Sequence, residues 1–327
     1  MPPIDVNALR PQLEDRRQRL DAMIREVPDA THLVGLLQEV DSALERIEDG
    51  SYGICDVCHD AIEADRLQVD PLIRVCLDHL DTSQQRVLEQ DLELASRIQN
   101  ALLPEKKVVT GDISAAFRYL PAGPVSGDYC DLIVNQKDPE TVLFVVGDVS
   151  GKGIAASLLM SHLHAVFHSL NGFDRPVNDL MEHANRLFCE STLSTHFATL
   201  VCGLVTTSGT LHLCNAGHCP PVVIGPEGTR TFKANGLPLG MFCQTTYTIT
   251  EATLPSGSTL FLYTDGLNEA NNGEEEYGEE RVLEAVGSRH ALAPEALLDA
   301  VSGNVDTFLA GRPRSDDFTL MAIRRAG

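Results

Sequence analysis

Residues 142–153 read Val142-Leu-Phe-Val-Val-Gly147-Asp148-Val-Ser-Gly151-Lys-Gly153. The short apolar run predicts a buried strand, and it ends in an acidic, glycine-rich turn. Leu260-Phe-Leu-Tyr-Thr-Asp265-Gly266 repeats that plan. Ser126-Gly-Asp128-Tyr-Cys-Asp131 opens another strand, and Ser315-Asp316-Asp317-Phe begins the last one with two acids. Each strand end delivers a carboxylate where glycine lets the backbone come close. Around them, short strands are expected at 112–119, 129–135, 141–147, 197–206, 210–215, 220–224, 229–233, 245–250, 258–264 and 317–324. Helices are expected at 153–170, 176–192, 279–287 and 294–310. Long strand runs with few helices predict an α+β fold, antiparallel sheets packed together and flanked by helices.

Aspartates with no paired His or Cys are the ligands of a hard cation, Mg²⁺ or Mn²⁺. Like charges brought together repel unless cations neutralise them, and two adjacent ions form a hydrolytic device for phosphoryl displacement. Asp128, Asp148, Asp265 and Asp316 are therefore the candidate catalytic and metal-binding residues. Other phosphatase chemistries are excluded by inspection. No cysteine has an arginine six positions on, and no Asp-x-Asp-x-Thr nucleophile motif occurs.

The front of the chain is organised differently. Leu9, Leu13, Leu20 and Ile24 mark one helix, broken at Val27-Pro28-Asp29; Leu33, Leu36, Leu37, Val40, Leu44 and Ile47 mark a second. Residues 1–50 thus read as a helical hairpin. Cys55-Asp-Val-Cys58 and Cys76-Leu-Asp-His79 follow, within residues 51–80. Two such ligand pairs can close a tetrahedral site for one structural Zn²⁺, with no open position for catalysis. A small unit with few large apolar side chains needs such a staple, and oxidation of its thiolates would release the metal. His59 is read as a surface neighbour, not a ligand.

Residues 81–104 form a linker helix ahead of a domain at 105–327. Leu88, Leu92, Ala95, Gln99 and Leu102 make a short heptad seam, suited to a homodimer, and Val87, Leu94, Ile98 and Ala101 make a second apolar face.

The chain has 327 residues and a formal net charge of −22. So acidic a surface is a poor fit for nucleic acid or anionic lipid. No apolar run of roughly 18–20 residues suggests a membrane span, and the first twenty residues lack a signal-peptide core. A cytoplasmic location is expected, with the nine cysteines reduced and those from Cys130 to Cys243 acting as small buried hydrophobes.

Several motifs agree in order with a known family: Ala95-Ser-Arg-Ile-Gln-Asn-Ala-Leu-Leu-Pro104, Gly127-Asp-Tyr, Gly147-Asp-Val-Ser-Gly-Lys-Gly153, Asn215-Ala-Gly-His218, Gly236-Leu-Pro-Leu-Gly240, Tyr263-Thr-Asp-Gly266 and Asp316-Asp317. Residues 85–326 resemble the metal-dependent PPM (protein phosphatase 2C) superfamily, in its bacterial RsbU/SpoIIE branch. The resemblance implies an αββα sandwich carrying two Mn²⁺ or Mg²⁺ ions. It implies that Asp148 bridges both ions with the Val149 carbonyl assisting, that Asp265 and Asp316 complete the ligands, and that Asp128 binds metal or a ligand. Asp317 is not expected to bind metal, and Asp131 is expected to help orient the site. Eukaryotic members carry a histidine after the bridging aspartate; here Val149-Ser150-Gly151 stands there, so no general acid is named. Lys152 is read as either a phosphate-steering or a solvated lysine, and His218 as structural. The implied function is a protein serine/threonine phosphatase acting on a STAS-type anti-sigma-factor antagonist.

Residues 31–80, through Ala43-Leu-Glu-Arg-Ile-Glu-Asp-Gly-Ser-Tyr-Gly-Ile-Cys55, resemble DksA/TraR zinc fingers, with His79 where that family usually has cysteine. Its best-known members insert a helical hairpin into RNA polymerase. The arms here are short, with Asp29 near the tip, and polymerase binding is not expected. The alternative to an enzyme with a regulatory front module is a non-catalytic adaptor whose zinc module binds the transcription machinery.

Overall fold

The computed structural model describes residues 6–26, 31–80, 82–135, 138–170, 175–192 and 195–327. The chain divides into two compact units, Met1–Asp91 and Leu92–Gly327. In the first, helices α1 (Val6–Glu26) and α2 (Thr31–Asp49) bury Leu9, Leu13 and Leu20 against Val40 and Ala43. Ion pairs Arg17–Asp41 and Arg10–Glu48 show that the helices run antiparallel. The expected break at Val27-Pro28-Asp29, and with it Asp29, lies outside the described residues. The same core continues into the cysteine-bearing segment through Tyr52, Cys55, Ile62, Leu67 and Cys76. That segment contains a short helix, α3 (Ala64–Val69), which the sequence reading did not resolve.

Helix α4 spans Thr82–Leu102. Its faces divide differently from the expected dimer seam. Gln99 is buried, and its side-chain amide donates to the Ser126 carbonyl at 2.7 Å while its carbonyl accepts from the Ser126 N–H at 2.9 Å. Leu92, Ala95 and Leu102 are half-buried on that side, whereas Val87, Leu94, Ile98 and Ala101 are exposed. The polar member of the heptad is the residue that pins the helix to its own domain.

The second unit comprises β1 (Lys107–Thr110), β2 (Ile113–Leu120), β3 (Asp128–Val134), β4 (Thr141–Val149), α5 (Gly153–Leu170), α6 (Val177–Ser191), β5 (Ala198–Thr206), β6 (Thr210–Ala216), β7 (Val222–Gly225), β8 (Gly228–Thr231), β9 (Thr250–Thr253), β10 (Thr259–Tyr263), α7 (Gly278–Gly287), α8 (Pro294–Leu309) and β11 (Phe318–Arg325). Two antiparallel sheets form, in the orders β1-β2-β11-β10-β7-β8 and β3-β4-β5-β6-β9. Alternation along β4 explains the layers. Val142, Phe144 and Val146 face the other sheet, where Phe117, Leu262 and Met321 meet them. Leu143 and Val145 face Met160, Leu163, Met181 and Phe188 of α5 and α6. On the other side, Phe261, Tyr263 and Leu320 pack under Val282, Val286, Leu298 and Val301 of α7 and α8. The αββα sandwich is thus three stacked cores, and strands buried on both faces read as continuous apolar runs.

Two expectations are corrected, the strand at 245–250 and the free state of two cysteines. The strand expected at 245–250 occurs at 250–253, because residues before it are held by α6: the Tyr247 N–H donates to Glu182 at 3.2 Å, and the Tyr247 side chain is buried in the core under that helix. Strand β1 was not foreseen. Helix α5 has the length and mean hydropathy of a membrane span, yet it buries Ala156, Met160, Leu163 and Phe167 inside the domain. Cys189 and Cys243 are joined by a disulfide, while Cys130, Cys202 and Cys214 are buried as expected. Those two cysteines are 54 residues apart, and beside them Asn185 of α6 grips the 240–242 backbone, donating to the Phe242 carbonyl and accepting from the Gly240 N–H.

Gly266 sets the closest approach in the domain: a Cβ there would lie 1.9 Å from the Asp317 carbonyl oxygen. Gly266→Ala is expected to lower stability by about 1–3 kcal/mol in chemical denaturation. Gly303→Ala, in α8 with open space around it, should be neutral or stabilising by about 0.5–1 kcal/mol. Equal effects at both positions would contradict the packing described.

Candidate metal and active site

The four aspartates come from four strand ends that the two sheets bring together. Asp128 starts β3 and Asp148 closes β4, and the two are direct partners in the β3–β4 register. Asp128 shares the parity of Cys130 and Leu132, and Asp148 that of Phe144 and Val146, so both point between the sheets. From the opposite sheet, Asp265 follows β10 and Asp316 precedes β11, strands that pair antiparallel. Glycines make the approach possible. A Cβ at Gly127 would lie 3.0 Å from the Val149 carbonyl and 3.4 Å from Asp148 Oδ1, and Gly266 packs on the 316–317 backbone.

Each carboxylate has a different environment. Asp128 is 1% exposed, and its Oδ2 accepts hydrogen bonds from the hydroxyls of Thr264, at 2.9 Å, and Thr319. Asp316 pairs with Lys152, Nζ to Oδ2 at 3.0 Å, and Lys152 also donates to the Ser315 carbonyl. Asp317 accepts backbone N–H groups of Ala122 and Gly127 at 2.8 and 2.9 Å, tying the 122–127 loop to β11. Each of its oxygens thus accepts one backbone N–H. Thr264 and Thr319 were missed in the sequence; the available signal was a hydroxyl on the inward face of an otherwise aliphatic strand.

The electrostatics favour a cation. Burial, then the charges of Asp265, Asp316 and Asp317, push Asp148 up to about 7, against the opposing pull of Lys152. Burial, then Asp148, hold Asp128 well above the usual carboxylate range, though Thr319 and Thr264 oppose the shift. Asp265 is raised by burial and by Asp316. Mutual repulsion in a desolvated pocket is relieved by proton or metal uptake. The donors are oxygen only, which fits Mg²⁺ or Mn²⁺.

His218 is 5% exposed, with Nδ1 2.8 Å from the Thr199 hydroxyl, and Thr199 faces Asp148 across β4–β5. Burial brings its pKa down to about 4, so the ring is neutral at neutral pH. Asn215 explains the Asn-Ala-Gly-His motif: its amide donates to the His218 carbonyl and accepts the His218 N–H, closing a turn in which Gly217 takes φ +72°. Asp131 does not join the site. It has the opposite parity from Asp128 and faces α5, where it contacts His168.

In the first unit, the ligand atoms of Cys55, Cys58, Cys76 and His79 all lie within 4.8 Å of one another. Burial would raise the Cys55 thiol, but backbone N–H groups of Cys58, Cys76 and Val57 point at its sulfur and bring it down to about 6. A thiolate-ready sulfur beside an imidazole is a donor set that Zn²⁺ prefers. His59 is exposed and outside the cluster, with a left-handed φ of 60° in the turn.

Because protons compete for Asp148, Mn²⁺ affinity is expected to rise with pH through about 7. Below that value the carboxyl holds a proton that the ion must displace; above it the ligand is already charged. Calorimetric titration of the full chain should give tighter binding at pH 8 than at pH 6, and a pH-independent affinity would contradict this account.

Comparison with known proteins agrees with this geometry. The family model for stage II sporulation protein E (SpoIIE) matches residues 138–326, more than half of the chain. The model for the prokaryotic dksA/traR C4-type zinc finger matches residues 50–78 and so stops one residue short of His79. Protein IcfG of Synechocystis sp. is 27% identical over 267 residues, which are 72% of this chain and 41% of IcfG. The chain therefore spans less than half the length of that relative. Phosphoserine phosphatase RsbU of Bacillus subtilis is 25% identical over 246 residues, 74% of this chain and 72% of RsbU. Among solved structures, the SiaA-PP2C domain of Pseudomonas aeruginosa aligns with TM-score 0.66 and 20% identity, covering 75% of this chain and 98% of that one. The RsbU and RsbW domains of a Mycobacterium tuberculosis protein align with TM-score 0.57 and 25% identity, covering 68% and 62%. Sheet order, aspartate placement and the extent of the sequence match lead to one assignment: the chain belongs to the SpoIIE family, and its C-terminal sandwich is a PP2C-type phosphatase domain.

Proposed function

We propose that this chain is a metal-dependent protein serine/threonine phosphatase whose N-terminal zinc-binding module regulates it. The observation that carries the reading is the set of desolvated, mutually repelling carboxylates at the sheet edge, with Asp148 raised to about 7. Asp148, Asp265 and Asp316, with the Val149 carbonyl and Asp128, would hold two Mn²⁺ or Mg²⁺ ions. Such ions supply an acidified water and neutralise the phosphoryl oxygens during in-line displacement. The residues of the chain do the rest. Thr264 and Thr319 orient Asp128, Asp317 anchors the 122–127 loop, and Lys152 places a positive charge at the exposed rim for a phosphate.

The substrate proposed is a phosphoserine or phosphothreonine on a STAS-type anti-sigma-factor antagonist, supported by likeness to a protein named phosphoserine phosphatase RsbU. Cys55, Cys58, Cys76 and His79 would hold one structural Zn²⁺. The adaptor alternative is less well supported, because all four aspartates are in place. Full-length protein should hydrolyse p-nitrophenyl phosphate and a phosphothreonine peptide with Mn²⁺ and not with EDTA. Asp148→Asn should cost at least about 100-fold, since loss of a supporting group alone costs 10–100-fold at metal sites. If the full chain is silent and a chain of residues 92–327 is active, the front module is inhibitory; silence of both sinks the enzyme reading.

A homodimer, if formed through α4, would use its exposed face and not the expected seam. Leu94→Asp with Ile98→Asp should halve the mass seen by light scattering and leave the domain folded. Leu92→Asp with Leu102→Asp should instead lower thermal stability. A dimer surviving the first pair of changes would remove α4 as its interface.

A further inference from the structure

Asp131 was left unused by the site at the sheet edge, and its surroundings are those of a metal ligand. Its carboxylate is 2% exposed and points from β3 toward α5. The Leu132 N–H donates to Oδ1 at 2.9 Å, and the Tyr129 hydroxyl donates to Oδ2 at 3.0 Å. His164 and His168, one turn apart on α5, stand over it with rings stacked at 4.1 Å. His168 Nε2 lies 2.7 Å from Asp131 Oδ2, and one ligand atom from each of the three residues falls within 4.8 Å of the others. A carboxylate held in place by two donors, with two imidazoles beside it, is a donor set whose orientation is already fixed by its neighbours. Both histidines also lie in the last two turns of α5, at the helix end that favours positive charge.

We propose that Asp131, His164 and His168 form a further cation site, for a borderline divalent transition ion such as Zn²⁺. Two imidazoles and one carboxylate suit zinc, nickel or cobalt, whereas the all-oxygen aspartate set suits Mg²⁺ or Mn²⁺. The site is also distinct from the Cys55, Cys58, Cys76, His79 cluster, which is thiolate-rich. An ion held here joins β3 to α5.

The test is a zinc count on the full-length protein. Wild type and variants are dialysed against micromolar Zn²⁺ with millimolar Mg²⁺ present to fill the aspartate set, and bound zinc is measured by elemental analysis. His168→Arg keeps a cation beside Asp131 and removes the ligand nitrogen, so the fold is retained while the site is lost. His164→Ala removes the second imidazole. Wild type is expected to hold one more zinc per chain than either variant. Co²⁺ loaded at this site should show d–d absorption without the thiolate charge-transfer band given by the cysteine cluster. Equal zinc in wild type and His168→Arg overturns the proposal, and shows that the two histidines and Asp131 form only an ion pair and a ring stack.

Discussion

Repulsion among carboxylates at one desolvated sheet edge is the constraint on which the phosphatase domain is built. Asp128, Asp148, Asp265 and Asp316 are held together by covalent and packing forces that act elsewhere in the domain, and the electrostatic cost appears as carboxyls pushed toward neutrality. A sheet edge can bear this because its strands are fixed by cores on both faces. The close approach itself depends on missing side chains. Gly127 leaves room beside Asp148 and the Val149 carbonyl, and Gly266 leaves room for the 316–317 backbone.

The neutral groups around the cluster decide which acid does what. Threonine hydroxyls from two strands of the opposite sheet hold Asp128, so a residue of one sheet is oriented by the other. Asp317 is consumed by backbone N–H groups and serves as a clamp on the loop that leads into β3. Burial keeps His218 neutral, and Asn215 shapes the turn that carries it. Position in a motif therefore does not assign a role; the hydrogen-bond partners do.

The N-terminal unit solves a different problem. Its hairpin and cysteine segment share one small core, and the thiolate and imidazole donors sit close enough for a single ion to close the fold. Backbone N–H groups aimed at Cys55 prepare a thiolate, which is what a zinc site needs. Helix α4 shows why a periodic pattern alone misplaces an interface: two apolar stripes were visible in the sequence, and only the hydrogen bonds of Gln99 tell which one faces the domain.

Much was legible from residues 126–153, 260–266 and 315–325 by themselves. Apolar runs ending in Asp and Gly specify buried strands that deliver acids, because local propensity, turn chemistry and burial agree there. Helix limits such as 153–170 also follow from periodicity and the glycine before them. The cysteine and histidine pairs at 55–79 are close in sequence, so their spacing alone specifies the cluster. What tertiary structure decided lies in contacts between distant segments. The Cys189–Cys243 pair, the Thr264 and Thr319 hydroxyls on Asp128, and the turn of Asp131 away from the site toward His164 and His168 all depend on which sheet face meets which. A sequence fixes the parity of a strand but not the neighbour opposite each face, and that neighbour determines whether an aspartate becomes a ligand, a clamp or half of an ion pair.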